Sequence, residues 1–356
     1  MHIDNEPKLD FCDVQLLPNG SNLKSRKEIV LEREFQFYHS PKKWKGIPII
    51  AANMDSTGTF DMAKVLSKHK MITALHKHYS FEDLTQFLHS FDNPNYIAYS
   101  MGIRDKDFQK LESILDEGLE NKFNFICLDV PNAYLDQVIE KFSKVRSLCP
   151  NHIIMAGNVV TAEQTIALIK YAKADIVKVG IGSGSACTTR RQTGVGRPQL
   201  TSIFECSDAA HNLCEIHKKY GLIVSDGGII DIGDISKAYC GGADFIMMGS
   251  KFAGFEESGG ENIEIDGKIY KEFYGMSSTK AMNKHYKGVA NYRSSEGREL
   301  LIPHKGPVEF FLNELKGGLR STATYIGAKT LKDFNKKARF EICHRILNRS
   351  LEKYDA

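Results

Sequence analysis

The 356-residue sequence has no long apolar run and almost no excess of charge of either sign. Its apolar runs are far shorter than the roughly 18 residues that span a bilayer, so no membrane segment is expected. Lysine and arginine total 47 against 44 acidic residues, a net charge of +3, which argues against nucleic acid as the main partner. A small anionic ligand stays compatible with this balance, because it needs only a local positive patch.

The eight cysteines include no Cys-x-x-Cys pair, and none lies beside a histidine pair with zinc-ligand spacing. Residues 1–10 contain four charged side chains and no apolar run, so no secretory signal peptide is expected. These absences predict a cytoplasmic protein whose thiols are reduced.

The positive signal is an alternation of short apolar runs with longer amphipathic stretches. Such runs suit parallel strands buried on both faces, and the amphipathic stretches suit helices. The strands are expected at Ile47–Asn53, Met71–His76, Tyr96–Ser100, Phe125–Val130, Ile153–Asn158, Ile176–Gly180, Leu222–Asp226 and Phe245–Gly249. Eight such repeats predict an α/β protein, a closed (β/α)8 TIM barrel in a single domain of residues 1–356. The alternative is an open doubly wound sheet, which the absence of Gly-x-Gly-x-x-Gly after the first strand disfavours.

Two segments lie outside this alternation. Residues 1–46 predict a polar N-terminal extension, and residues 251–305 form a long insertion after the eighth strand. Within the insertion, Ile263 to Tyr270 predicts a hairpin that turns at Asp266-Gly267. A long insertion at a barrel mouth is usually functional, so we expect a flap. Residues 330–353 predict a basic helical tail.

Glycines follow the seventh and eighth expected strands, at Gly227-Gly228 beside Asp226 and at Gly249 beside Ser250. Active sites of barrels lie at the carboxyl ends of the strands, and backbone amides after the last two strands often bind phosphate. Glycine lets the backbone approach an anion closely. These glycines could instead only form tight turns, but their presence at both strand ends favours a phosphate site.

The loop after the sixth strand is rich in glycine and hydroxyl side chains, which is untypical of a buried core. Cys187 lies in this loop beside Arg190 and Arg191, whose positive charge favours the thiolate. Gly182 and Gly184 free the backbone to direct carbonyl oxygens to one point, and such oxygens suit a hard cation. The other cysteines lie in or near expected strands and helices and are interpreted as small buried apolar groups. Cys187 is therefore the candidate nucleophile.

The segment Gly184 to Arg190, Gly-Ser-Ala-Cys-Thr-Thr-Arg, closely resembles the catalytic loop of the inosine-monophosphate dehydrogenase and guanosine-monophosphate reductase family. The resemblance extends over nearly the whole chain, at Ile50–Asp55, Ala156–Val159, Ser225–Gly228, Tyr274–Ser278 and Tyr292–Gly297. Within the family the chain looks like the reductase branch, because the regulatory domains that dehydrogenases usually carry have no place in it. The segments Ala74–Tyr79, Phe125–Val130, Ala281–His285 and Leu319–Tyr325 also look like that branch.

The resemblance implies a reductive deamination in purine salvage, in which GMP and NADPH give IMP, ammonia and NADP. Cys187 is expected to attack C2 of the guanine, the departure of ammonia to leave a thioimidate, and hydride from NADPH to release IMP. Thr189 and Glu296 are expected to manage the proton that the leaving amine needs, with the flap completing the site.

Two alternatives stay open at this point. The first is an IMP dehydrogenase without regulatory domains, whose thioimidate would meet activated water instead of hydride. Dehydrogenases usually carry an Arg-Tyr pair on the flap for this purpose, and residues 251–320 contain none. The second is a non-catalytic purine-nucleotide sensor, which the joint presence of Cys187, Thr189 and Glu296 disfavours.

The resemblance also assigns ligand contacts. It places GMP against Ser185, Asp226, Gly227, Gly228, Gly249, Ser250, Gly275, Met276, Ser277, Arg293, Ser294, Ser295, Glu296 and Gly297. It places NADPH against Ser25, Arg26, Lys77, Asp129, Val130, Pro131, Ile181, Gly182, Met276, Tyr292, Arg293, Ser321, Thr322, Ala323 and Thr324. It implies a monovalent cation, usually K+, at the carbonyls of Gly182, Gly184 and Cys187, with Arg190 nearby. Some cofactor contacts come from a neighbouring subunit in the family, which implies a homotetramer.

Five positions depart from the reductase pattern. Ser183 stands where proline is common, Arg197 where an aromatic residue is common, and Ala323 where cysteine is frequent. Pro131 replaces a small residue and removes a backbone donor, and Ser250 replaces glycine at the expected phosphate site. These changes bear on the cation, cofactor and phosphate contacts, but none removes a catalytic group.

Overall fold

The computed structural model describes residues 3–212, 214–215, 218–286, 288 and 294–343. Eight parallel strands form a closed barrel. In chain order they are Ile49–Ala51, Ile72–Leu75, Ile97–Met101, Phe125–Asp129, Ile153–Val159, Ile176–Val179, Leu222–Asp226 and Phe245–Met248. The eighth strand pairs with the first, with Ile246 opposite Ile49, which excludes an open sheet. The TIM-barrel prediction is confirmed.

Helices surround the barrel and connect its strands. Their bounds are Phe60–Lys68, Phe81–Ser90, Asp105–Asp116, Asp136–Leu148, Ala162–Lys170, Gln199–Asn212, Ile232–Cys240 and, after the insertion, Val308–Ile326. Two begin at hydroxyl caps, where Thr59 accepts from the Met62 amide and Ser80 from the Asp83 amide. The longest ends at Gly327, which takes a left-handed conformation. Among the described residues, none of the helices combines the length and apolar character that crossing a bilayer requires.

The N-terminal extension closes the amino end of the barrel. Its strands Arg33–Gln36 and Lys43–Gly46 form an antiparallel hairpin that buries Phe35 and Trp44. The ring of Phe35 stacks on Phe245 at 4.6 Å, and the Trp44 indole donates to the Asn95 carbonyl at 2.8 Å. Residues 1–46 precede the first barrel strand, as expected, but this polar extension also carries buried aromatic side chains. Exposed polar residues alternate with these aromatic residues, so the composition of the segment does not indicate that the aromatic side chains belong to the core.

The insertion forms a small antiparallel sheet over the opposite end. The strand Lys268–Tyr274 pairs with Asn262–Ile265 on one side and with Glu299–Pro303 on the other. The hairpin turns at Asp266 and Gly267, both with positive φ, so that prediction is confirmed. A helix, Thr279–Tyr286, lies in the chain between the second and third strands of this sheet. We call residues 251–305 the flap; Tyr292 and Arg293 within it lie outside the described residues.

The expected helical tail is wrong over its first part. Short helical turns at Leu331–Asp333 and Phe334–Lys337 are followed by a strand, Phe340–Ile342. This strand pairs antiparallel with Val14–Leu16 from the other end of the chain. A pairing partner so distant in sequence leaves no trace in local periodicity. Residues 344–353 of the expected tail lie outside the described part.

The buried pair Phe35 and Trp44, which we call the aromatic plug, leads to a prediction about stability. We expect Trp44→Ala to lower the free energy of unfolding by about 3–5 kcal/mol, because it opens a cavity among side chains that cannot collapse. Tyr171→Ala, at a side chain that is 64% exposed, should change it by less than about 0.5 kcal/mol. Urea unfolding measures both free energies. It should be followed by circular dichroism, because Trp44 is the sole tryptophan and its replacement removes the tryptophan fluorescence signal. Equal stabilities of the two variants would contradict the plug.

Candidate active site

A cavity of about 830 Å³ lies at the carboxyl ends of the barrel strands, beneath the flap. Most of the residues expected at the site line it. They are Asp129, Val130, Pro131, Ile181, Gly182, Gly184, Ser185, Cys187, Thr189, Asp226, Gly227, Gly228, Gly249, Ser250, Gly275, Met276, Ser277 and Glu296. Its volume lies in the range of small-molecule sites, and its lining combines apolar walls with a few convergent polar groups.

Cys187, Thr189 and Glu296 form a continuous hydrogen-bonded chain in this cavity. The Cys187 thiol donates to Thr189 Oγ1 at 3.2 Å, and the Thr189 hydroxyl donates to Glu296 Oε2 at 2.6 Å. A threonine hydroxyl both donates and accepts, so it can pass a proton between the sulfur side and the carboxylate. The arrangement combines a nucleophile with an acid–base group within hydrogen-bond reach.

Backbone pairing holds the flap against the cysteine loop. Cys187 and Gly297 form an antiparallel bridge. The Thr188 amide donates to the Glu296 carbonyl at 2.8 Å, and the Arg298 amide donates to the Ala186 carbonyl at 2.8 Å. A side chain at Gly297 would lie 2.7 Å from the Ser278 amide nitrogen, so glycine permits this close approach. The position of the Glu296 carboxylate therefore depends on docking of the flap.

The glycine turn after the seventh strand borders the opposite wall. Gly227 and Gly228 have φ values of 87° and 80°, which glycine adopts without strain. Ser183 donates to the Asp226 carbonyl at 2.9 Å and ties this turn to the cysteine loop. The serine that replaces proline at 183 thus supplies a contact between two loops that border the cavity.

Arg190 anchors the cysteine loop from behind. Its guanidinium pairs with Asp10 at 3.1 Å and also donates to the Arg197 carbonyl. Asp10 accepts from the Gln199 amide as well, so the N-terminal extension braces the loop. A side chain at Gly182 would lie 2.6 Å from Arg190 Cγ, which keeps that turn glycine-specific. Arg190 does not line the cavity.

The remaining departures have ordinary contacts. Arg197 donates to the Val160 carbonyl at 2.8 Å and pairs with Glu205. These contacts join the segment after the cysteine loop to neighbouring elements. Pro131 and Ser250 line the cavity, and Ala323 is buried in the core of this chain.

Several residues expected to contact NADPH lie away from the cavity. Ser25, Arg26, Lys77 and Ser321 to Thr324 do not line it. The turn Arg26–Glu28 packs against the helix Val308–Ile326, which carries residues 321–324. Among the expected GMP contacts, Ser294, Ser295 and Gly297 lie on the flap and do not line the cavity.

A charged group that the sequence reasoning missed lies beneath the cavity. The Lys178 ammonium forms an ion pair with Asp129 and lies 3.5 Å from Asp226 Oδ2. Asn158 donates to the same oxygen of Asp226 at 2.8 Å. Burial alone would raise the pKa of Asp129, but the positive charges of Lys178 and Lys77 outweigh it and lower the pKa to about 2. The available signal was a lone lysine within the apolar strand Ile176–Val179.

A second missed residue, Asp55, fastens the flap to the barrel. Its Oδ2 atom accepts from the Tyr274 hydroxyl at 2.7 Å and from His285 Nε2 at 2.8 Å, and lies 3.3 Å from the Lys284 ammonium. All three donors belong to the flap, whereas Asp55 follows the first barrel strand. Burial opposes ionisation of this carboxyl, but the hydrogen bonds from His285 and Tyr274 lower its pKa overall. The His285 ring also stacks on the His78 ring, with the two ring centroids 3.7 Å apart.

Comparison with known proteins agrees with the resemblance in the cysteine loop. The family model described as IMP dehydrogenase / GMP reductase domain matches residues 8–346. The chain is 51% identical over 342 residues to a GMP reductase of Photobacterium profundum. It is 50% identical to the GMP reductases of Vibrio parahaemolyticus and Shewanella halifaxensis. Each match covers 96% of this chain and 96% of the relative.

The flap anchor predicts a change in local opening. Asp55→Ala removes the acceptor shared by three flap donors, so we expect the amides of Thr188, Glu296 and Arg298 to exchange with solvent at least about tenfold faster. Hydrogen exchange read by mass spectrometry measures this. Asp61→Ala is the matched control, because Asp61 forms only an exposed pair with Lys64. Unchanged exchange of the flap in the Asp55 variant would contradict the anchoring role.

Proposed function

The chain belongs to the IMP dehydrogenase / GMP reductase family, and on this premise we propose that it reduces GMP to IMP with NADPH and releases ammonia. The observation that carries the proposal is the hydrogen-bonded chain from Cys187 through Thr189 to Glu296 inside the cavity. Relatives of about 50% identity over nearly the full length bear the name GMP reductase, which favours reduction over the dehydrogenase reaction.

In the proposed reaction Cys187 forms a bond from sulfur to C2 of the guanine. The exocyclic amine departs as ammonia with a proton delivered through Thr189 and Glu296, which leaves a thioimidate. NADPH supplies the hydride that adds to C2. The carbon–sulfur bond then breaks, which regenerates the cysteine and releases IMP. Proximity within one cavity replaces a difficult direct substitution by two easier steps.

The two halves of the cavity suit two ligands. The glycine turn at 227–228 with Gly249 and Ser250 is suited to a phosphate, and Asp226 beside it can accept from ribose hydroxyls. Asp129, Val130, Ile181 and Gly182 also line the cavity, and we assign to them the nicotinamide part of the cofactor. We assign the residues expected from the resemblance to these halves accordingly.

The remaining cofactor contacts fit an assembly of several chains. Ser25, Arg26 and 321–324 do not line the cavity of their own chain, so in our proposal they serve the site of a neighbouring copy in a homotetramer. Arg26 and Lys77 would then favour NADPH through its additional phosphate. A catalytic thiol at Cys187 suits a reducing, cytoplasmic compartment.

A monovalent cation such as K+ fits the donor chemistry of the cysteine loop. The proposed ligands are the carbonyl oxygens of Gly182, Gly184 and Cys187, which suit a hard cation. Gly182 adopts a positive φ of 74°, and Arg190 packs behind it and stabilises the turn. The cation would order the loop that carries the nucleophile.

We propose a single catalytic domain formed by the barrel, the N-terminal extension and the flap, without a regulatory insert. The support is the shortness of the connections between successive barrel strands, which hold only helices and a few short elements. The flap contributes Glu296 to the cavity and is therefore part of the same catalytic unit.

The nucleophile generates a direct test. Cys187→Ala should abolish the decrease in NADPH absorbance with GMP, while calorimetry still detects GMP binding. Cys343→Ala is the control, because that half-buried thiol lies on the C-terminal strand pair. Full turnover by the Cys187 variant would refute covalent catalysis. Turnover of IMP with NAD alone, and none of GMP with NADPH, would identify the wild-type chain as a dehydrogenase.

The proton path makes a separate prediction. Glu296→Gln removes the acid–base group but keeps its shape, so we expect ammonia release in a single turnover to slow by about 10²- to 10⁴-fold. Glu264→Gln, at an exposed position of the flap hairpin, should leave the rate unchanged. If the Glu296 variant released ammonia at the wild-type rate, the proton would have to come from another group.

A further inference from the structure

Lys178 is a charged side chain within the interior of the barrel. Its side chain is 1% exposed, whereas those of Asp129 and Asp226 are 31% and 21% exposed. The ammonium is therefore excluded from the cavity, whereas the two carboxylates are exposed to the cavity. A buried ammonium without a partner is strongly destabilising, so this position requires counter-charges.

The barrel topology explains why a lysine occupies this position. Asp129 ends the fourth strand and Asp226 ends the seventh, so the two carboxylates are not on adjacent strands. Lys178 lies on the sixth strand, opposite Gly157 of the fifth and Val224 of the seventh. Only a long side chain on a strand between the fourth and the seventh can contact both carboxylates.

Gly157 makes room for that lysine. A side chain at position 157 would lie 2.5 Å from Lys178 Cβ. The next residue, Asn158, donates to Asp226 at 2.8 Å and to the Gly180 carbonyl at 2.9 Å. The fifth and sixth strands are thus shaped around one lysine and its two acidic partners.

We propose that Lys178 is a positioning residue that orients Asp129 and Asp226 together and so couples the cofactor half of the cavity to the nucleotide half. The assignment of the halves rests on the proposed function, whereas the ion pairs do not. Asp226 faces the proposed ribose hydroxyls and Asp129 faces the proposed nicotinamide. One ammonium thus constrains a contact to each ligand.

The surroundings of Lys178 favour its charged form. Burial alone would lower the pKa of Lys178, but the negative charge of Asp129 and, more weakly, that of Asp226 raise it overall. The charged and polar groups that face the pair are Lys77, Asn53, Asn158 and the Cys127 thiol. Without Lys178, burial is opposed at Asp129 only by the charge of Lys77 and the hydrogen bond from Asn53, so the pKa of this carboxyl would rise.

Lys178→Met removes the charge and keeps the length of the side chain. We expect KM to rise about tenfold or more for both GMP and NADPH, since both carboxylates lose their anchor. We also expect kcat/KM to fall as the pH is lowered from 8 to 5, because protonated carboxyls accept hydrogen bonds poorly. The wild-type enzyme should lack this acidic limb, since the pKa of Asp129 is about 2.

Thermal unfolding supplies a readout that does not need turnover. A carboxyl whose folded pKa is raised above its unfolded value stabilises the fold at low pH and loses that contribution as the pH rises. The melting temperature of Lys178→Met, taken relative to that of the wild-type protein, should therefore be higher at pH 5 than at pH 8. The wild-type protein should show no such preference from Asp129, because its folded pKa is lowered.

Three variants separate charge from packing. Lys178→Arg keeps the charge and should keep the wild-type pH profile, even if it melts lower. Lys42→Met is the matched control, because that half-buried lysine donates to the neutral amide of Asn124. It should show no new acidic limb. Lys178→Met with Asp129→Asn removes one charge of each sign and should recover part of the stability that the single variant loses.

The outcomes are decisive in either direction. A folded Lys178→Met variant with wild-type KM values and pH profile would overturn the proposal. If that variant does not fold, absence of any recovery in the double variant would overturn it instead. If the wild-type chain does not convert GMP with NADPH, the proposed function fails, and the unfolding measurements still decide whether Lys178 anchors the two carboxylates.

Discussion

Closure of the barrel is the constraint on which the rest of the molecule depends. When the eighth strand pairs with the first, every strand has hydrogen-bonded neighbours on both edges and all carboxyl ends meet at one rim. The aromatic hairpin of the N-terminal extension fills the other end with Phe35 and Trp44. The cavity is thereby confined to the rim that carries the strand-end loops.

At that rim, the proposed catalytic groups from distant parts of the chain become adjacent through backbone pairing. Cys187 belongs to a barrel loop and Glu296 to the flap, and the bridge from Cys187 to Gly297 sets their separation. Asp55 and Arg190 anchor the two partners from opposite sides, one through the flap donors and the other through Asp10. In the proposed mechanism Glu296 reaches the cysteine loop only when the flap is docked, so docking would link substrate enclosure to chemistry.

The charges at the cavity show how a barrel places ionic groups where water is scarce. Lys178 is buried, yet its two carboxylate partners reach the ligand space. Loss of Lys178 would leave two carboxylates without their shared counter-charge, so the ammonium holds both carboxylates in place. Fixed charges of this kind need little reorganisation when a ligand binds, which is the usual advantage of a preorganised site.

The sequence by itself determined the strand and helix alternation, the hairpin at Asp266-Gly267 and the candidate nucleophile Cys187, because periodicity, turn chemistry and loop composition are local properties. Only the tertiary structure decided the plug by Trp44, the pairing of Phe340–Ile342 with Val14–Leu16, and the roles of Asp55 and Lys178. Each of these depends on a partner remote in the chain. Such contacts arise from barrel closure, and no local pattern records which distant residue a side chain will meet.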